Sequence, residues 1–290
     1  MQIREYSLPT GWFPHDSSSV SRFLSEFSDS SASFAKASFR KASFAKAAIS
    51  PHAGWYYCGR IAARAVSSLN PKAETLVVLG GHLAQNSPPL FAMEDVVRTP
   101  YGYMQIDSEF RSLLQEKIGG VEDRYRDNTI EVLLPMAHFF FPNANIIWLR
   151  LPAEKQSFEI GKILSSAAAQ LNRKINVLVS ADLTHYGSNY GFTPKGTGIS
   201  ALNWVRKEND ANFIKAVESG NCGEVLRRAE SDFACCSAGA VLAAMGFAEA
   251  EGLENAKLLE YGTSADVDKQ MPPDSFVGYA AMAFFEKMRP

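Results

Sequence analysis

Four cysteines in 290 residues, two of them adjacent at Cys235 and Cys236, are too few and too unevenly placed for a disulfide framework, so reduced thiols are expected. Histidine is also scarce for the length, at 5. No apolar run approaches the roughly 18 residues that span a bilayer, which argues against a membrane protein. The first 16 residues are polar and contain no hydrophobic signal segment, so a cytoplasmic location is expected. Charge of neither sign dominates: 29 Lys and Arg against 31 Asp and Glu leave a net charge of −2, and the cations are scattered. That distribution gives no footprint for nucleic acid.

What the chain does have is apolar content, 46% of its residues, enough to close a sizeable core. It is arranged in alternating short runs and helical stripes. Ala47 to Ile49, Thr75 to Leu79, Ile146 to Leu149 and Asn176 to Ala181 read as buried strands. Helices are expected from Asp16 or Ser17, over Cys58 to Leu69, from Asp107 or Ser108 to Ile118, over Phe158 to Leu171, and from Cys235 to about Ala250. Thr129 to Phe141 reads as one apolar helix kinked near Pro135. Strands over Leu258 to Tyr261 and Phe276 to Phe285 close the chain. This order predicts an α/β fold: a single domain over residues 1–290 with a mainly parallel central sheet and helices on both faces. One segment stands apart. Ala32-Ser33-Phe34-Ala35-Lys36, Ala37-Ser38-Phe39-Arg40-Lys41 and Ala42-Ser43-Phe44-Ala45-Lys46 repeat with a five-residue period that suits neither helix nor strand, so 32–46 reads as a low-complexity insertion in a loop.

Three of the five histidines, His52, His82 and His185, fall just after apolar strands, at the edge where ligands bind in open α/β sheets. Neighbouring strands lie about 4.8 Å apart, so such side chains can converge on one metal ion, two imidazoles with one anionic ligand leaving positions open. His15 and His138 lack this context and are expected to be structural. Glu131 is placed either beside the site or on a solvated helix face. Tyr56, Tyr57, Tyr186 and Tyr279 serve equally as pocket walls or core.

Several motifs in order, Pro51-His52-Ala53-Gly54-Trp55, Thr129 to Pro135, Ser180-Ala181-Asp182-Leu183-Thr184-His185-Tyr186-Gly187 and Thr263-Ser264-Ala265-Asp266 with Val277 to Ala281, resemble the Memo family. That family includes the prokaryotic AmmeMemoRadiSam system protein B and is similar in fold to the class III extradiol ring-cleavage dioxygenases. The resemblance implies that His52 and His82 are metal ligands and that Cys235 matches the family's metal-binding cysteine, with Cys236 the alternative. It also implies that His185, with Asp182 one helical turn earlier, is the acid/base pair beside the metal. Iron is the favoured ion, with zinc or copper as alternatives. Three departures stand out: Gly80-Gly81-His82 is tighter than or shifted from the family's Gly-Pro-x-His turn, Asn128 replaces a common histidine, and Cys235-Cys236-Ser237-Ala238-Gly239 differs from Cys-Gly-x-x-Pro.

The leading expectation is a non-haem-iron, redox or dioxygenase-like enzyme acting on an unknown small molecule or peptide. A peptide- or metabolite-binding adaptor that keeps a degenerate cleft is the first alternative, in line with the phosphotyrosine signalling associated with eukaryotic Memo proteins. A hydrolase with Cys235 as nucleophile, His185 as base and Asp182 as orienter is the second. A radical-SAM partner is implied by the family name alone.

Overall fold

The computed structural model describes residues 1–25, 44–268 and 273–287. In chain order the strands are β1 (Ile3–Arg4), β2 (Ala45–Ser50), β3 (Thr75–Gly80), β4 (Leu90–Phe91), β5 (Val96–Thr99), β6 (Gly102–Gln105), β7 (Val121–Glu122), β8 (Asn145–Arg150), β9 (Ile175–Ser180), β10 (His185–Gly187), β11 (Lys257–Thr263) and β12 (Ser275–Phe285). The helices are α1 (described over residues 17–25), α2 (Trp55–Ser67), α3 (Ser108–Ile118), α4 (Asn128–Glu131), α5 (Leu134–Phe140), α6 (Gln156–Gln170), α7 (Ile199–Trp204), α8 (Asp210–Glu218), α9 (Cys222–Ser231) and α10 (Ala238–Ala250). Most of the 32–46 repeat lies outside the described residues; its last two residues, Ala45 and Lys46, begin β2.

The fold is α/β with a mixed sheet in the order β10-β12-β2-β9-β3-β8-β4-β7, and β11 pairs with β12. Its centre, β2-β9-β3-β8, is parallel as expected. The flanks are not: β12 runs antiparallel to β2, β10 and β11, and β4 antiparallel to β8. A small separate sheet joins β1, β5 and β6.

Alternation along the central strands explains the layering. Val77 and Leu79 face one apolar layer with α6 and α10, while Leu76 and Val78 face the other with α2, α4 and α5. Both faces of β3 are therefore buried, which is why it reads as an unbroken apolar run. α10 is buried on all sides and begins at Ala238, after the two cysteines rather than at them. The expected single helix over Thr129 to Phe141 is two, α4 and α5, because Pro135 sits in the first turn of a new helix rather than kinking an old one. No helix among the described residues is long and apolar enough to cross a membrane.

Candidate metal centre

Parallel register brings three strand ends to one place. Ser50 of β2 pairs with Ser180 of β9, and Leu79 of β3 with Val179 of β9, so the chain leaves all three strands at the same edge. His52 follows β2 through Pro51, which has no amide proton to extend the ladder. Its own amide donates to Asp182 Oδ1 at 2.7 Å. Its ring is buried, 1% exposed, with Nδ1 2.9 Å from Ser180 Oγ. The Ser180 hydroxyl donates its single proton to the Thr129 carbonyl, so it accepts from His52 Nδ1–H. This fixes the neutral tautomer whose lone pair is on Nε2.

His82 is held differently. It follows the two glycines that end β3 and has φ 57°, in the left-handed region that costs a non-glycine residue on the order of 1–3 kcal/mol. A Cβ on Gly81 would overlap Ser237, so glycine there lets the turn lie against the cysteine segment. His82 Nδ1 is 2.9 Å from Asp127 Oδ2, and a carboxylate acceptor again leaves Nε2 free. The rings of His52 and His82 meet edge to face with centroids 5.0 Å apart.

The third ligand position corrects the sequence reading. Cys235 points away from the histidines into the apolar layer beneath the sheet, where burial pushes its thiol well up. Cys236 turns the other way: its Sγ is 3.4 Å from His52 Nε2, and its amide donates to the Asp182 carbonyl at 3.2 Å. Burial opposes ionisation of Cys236, but the imidazoles of His52, His185 and His82 outweigh it and hold the thiol well below its usual range. Ligand atoms from His52, His82 and Cys236 all lie within 4.8 Å of one another.

This donor set fits a metal ion: two imidazole nitrogens with their opposite nitrogens already bonded, and a sulfur favoured as thiolate. A zinc-, iron- or copper-sized ion accepts such ligands.

His185 and Asp182 border the same spot. His185 opens β10 rather than directly following β9, and residues 182–184 are irregular, so the expected helical-turn spacing is replaced by a strand turning back along β12. His185 Nε2 is buried without a hydrogen bond, 3.7 Å from Asp182 Oδ2, the same oxygen that lies 3.7 Å from His52 Nε2. Burial pulls His185 down, but Asp182 and Cys236 outweigh it and raise its pKa to about 10; His82 is likewise raised to about 10, chiefly by Asp127 and Cys236 against burial. The rings of His185 and Tyr190 lie 5.0 Å apart. His52, His82, Asp182, His185 and Tyr190 line a cavity of about 930 Å³ whose walls also include Trp12, Tyr57 and Tyr279.

Other expected residues lie elsewhere. Glu131 is neither beside the ligands nor solvated: it is buried and accepts from the Ser7 and Leu8 amides and the Ser7 hydroxyl, fastening the N-terminal segment. Tyr186 is core and Tyr56 is exposed. His15 stacks on Tyr6 and His138 bonds Thr99, both structural as expected. Asn128 donates to the His52 carbonyl at 3.0 Å, supporting the site through its backbone. Ser180 and Asp127 escaped the sequence reading. Only the position of Ser180 at the end of a strand neighbouring β2 hinted at its role.

Fold and site together define an α/β protein with a candidate His-His-Cys metal centre at the carboxyl edge of its parallel strands. The chain belongs to the Memo family, whose model, described as Memo-like protein, matches residues 4–283. A MEMO1 family protein of Methanococcoides burtonii is 30% identical over 242 residues, covering 81% of this chain and 84% of its own. One from Pyrococcus abyssi is 30% identical over 251 residues with the same coverages. A solved structure of an uncharacterized protein from Escherichia coli K12 aligns with 81% of this chain and 98% of its own, at 13% identity and a TM-score of 0.42.

Proposed function

We propose that this Memo-family protein is a metal-dependent redox enzyme of dioxygenase-like type, holding iron through His52, His82 and Cys236 and acting on a small molecule in the cleft. The observation that carries the reading is the pair of histidines whose Nδ1 atoms are bonded to Ser180 and Asp127, which aims both Nε2 atoms toward one thiol. Iron held by these residues would supply one-electron redox chemistry. A thiolate ligand makes the centre softer than an all-nitrogen-and-carboxylate set, so ring cleavage does not follow from the fold.

His185 is the acid. Against burial, Asp182 and Cys236 raise its pKa in the metal-free protein, and the ring, whose Nε2 makes no hydrogen bond, lines the cavity where it can hand a proton to a bound group. Asp182 stabilises the protonated ring and, through the His52 amide, ties the acid to the proposed metal ligand. Metal analysis of protein purified without chelator tests the reading. Stoichiometric iron in the parent, lost in both His52→Ala and Cys236→Ala, is expected, with His185→Gln retaining iron while losing oxygen consumption on catechols. Iron retained by both ligand variants would refute it.

The Cys236 thiolate among three imidazoles also supports a second reading, a cysteine nucleophile in a hydrolase. Iodoacetamide separates the two: a metal-bound thiolate is protected until chelator is added, and a free nucleophile reacts at once.

A further inference from the structure

Arg150 is the last residue of β8, pairs with Gly80 of β3, and is 3% exposed. Its guanidinium lies across the turn that carries His82. Nε donates to the Gly81 carbonyl at 3.0 Å and Nη2 to the His82 carbonyl at 3.4 Å. Nη2 is also 3.3 Å from Asp127 Oδ2, the oxygen that receives His82 Nδ1–H. On its far side, Nη1 bonds Asp123 Oδ1 at 3.2 Å, and Asp123 is fixed in turn by Trp148 Nε1 at 2.8 Å.

A buried ion pair asks only for a charge. This fork does more: it meets the carbonyls on both sides of the His82 Cα–N bond and the carboxylate that orients the His82 ring. The left-handed backbone of His82, φ 57°, is uncommon for any residue with a Cβ, and the two carbonyl bonds hold it there. His52, by contrast, is fixed by Ser180, Asp182 and Asn128.

We propose that Arg150 is a positioning residue for the metal centre, acting chiefly through His82 by clamping the Gly81-His82 turn and sharing Asp127 with its ring. The inference rests on the metal reading given above. Lysine at this position keeps the charge but loses the planar fork and cannot meet the two carbonyls and two carboxylates together.

The test is a Co²⁺ titration of the parent, Arg150→Lys, His82→Ala and the double variant, followed by the cobalt ligand-field spectrum. Arg150→Lys should weaken Co²⁺ about 10–100-fold, as loss of a supporting partner does, and should change the spectrum. In the His82→Ala background the same change should have a much smaller effect, because its main route to the metal is gone. Parent-like affinity in Arg150→Lys, or an equal loss in both backgrounds, would overturn the proposal. Should Arg150→Lys not fold, Arg150→Gln, which also lacks the fork, takes its place in the cycle with the same expectation. Failure of the parent to bind Co²⁺ sinks the metal reading instead. Arg150 is then judged in metal-free protein by histidine side-chain NMR: signals of His82 moving while those of His52 stay supports the clamp, and neither moving refutes it.

Discussion

Cys235 and Cys236 are neighbours of one chemical type in opposite circumstances. The first is sealed in an apolar layer that raises its pKa, and the second lies among three imidazoles that lower it. The difference shows that a cysteine's chemistry here is set by which way a short irregular segment turns, and that segment is positioned by the Cys236 amide on the Asp182 carbonyl and by Ser237 against Gly81.

Exchange of each cysteine for serine should break the symmetry most sharply. Cys236→Ser loses a ligand, so its metal affinity should fall beyond the ~10–100-fold that loss of a supporting group costs. Cys235→Ser should keep the metal and instead lose about 1–3 kcal/mol of stability, because its hydroxyl is buried in an apolar layer. Metal content and denaturant unfolding of the two variants read the two effects separately. In metal-free protein at neutral pH, mass-spectrometric mapping of iodoacetamide labelling should find Cys236 modified first, by on the order of 100-fold in rate. Equal labelling would mean that the segment turns freely.

Titration sharpens the same contrast. His82 and His185 have pKa values raised from 6.5 to about 10, so their contribution to metal-free stability is full below about 6.5 and is lost as pH rises toward 10. For Cys236, whose folded pKa is lowered, the contribution is present above its ordinary value of 9.0 and is lost as pH falls through the folded one. His185→Gln should therefore flatten the alkaline limb of a melting-temperature profile from about pH 6.5 upward, while Cys235→Ser should change its shape only above about pH 9. The smallest effect is expected far from the cysteines. Glu131→Gln weakens charge-assisted bonds to Ser7 and Leu8, costing about 1–3 kcal/mol by denaturant unfolding with no loss of metal.

Much of this was legible in the residues. The apolar runs ending at Ser50, Gly80 and Ser180 are strands because both faces are covered, and a run without alternation says so directly. His52 and His82 are where a strand-end rule places them. Neighbour identity was not legible: nothing local says that β12 lies antiparallel beside β2, or that His185 starts a strand of its own. The choice between Cys235 and Cys236 depends on a backbone rotation that no side-chain pattern encodes. Asp127, Ser180 and Arg150 act on the histidines across strands, and Glu131 on a segment 124 residues away, so their roles appear only once the sheet is assembled.

Anomalous diffraction at the iron edge, from crystals of protein purified without chelator, tests the central claim most directly. The account predicts one strong peak within bonding distance of His52, His82 and Cys236. A peak at Cys235, or none beside a reduced and unmodified Cys236, would contradict it.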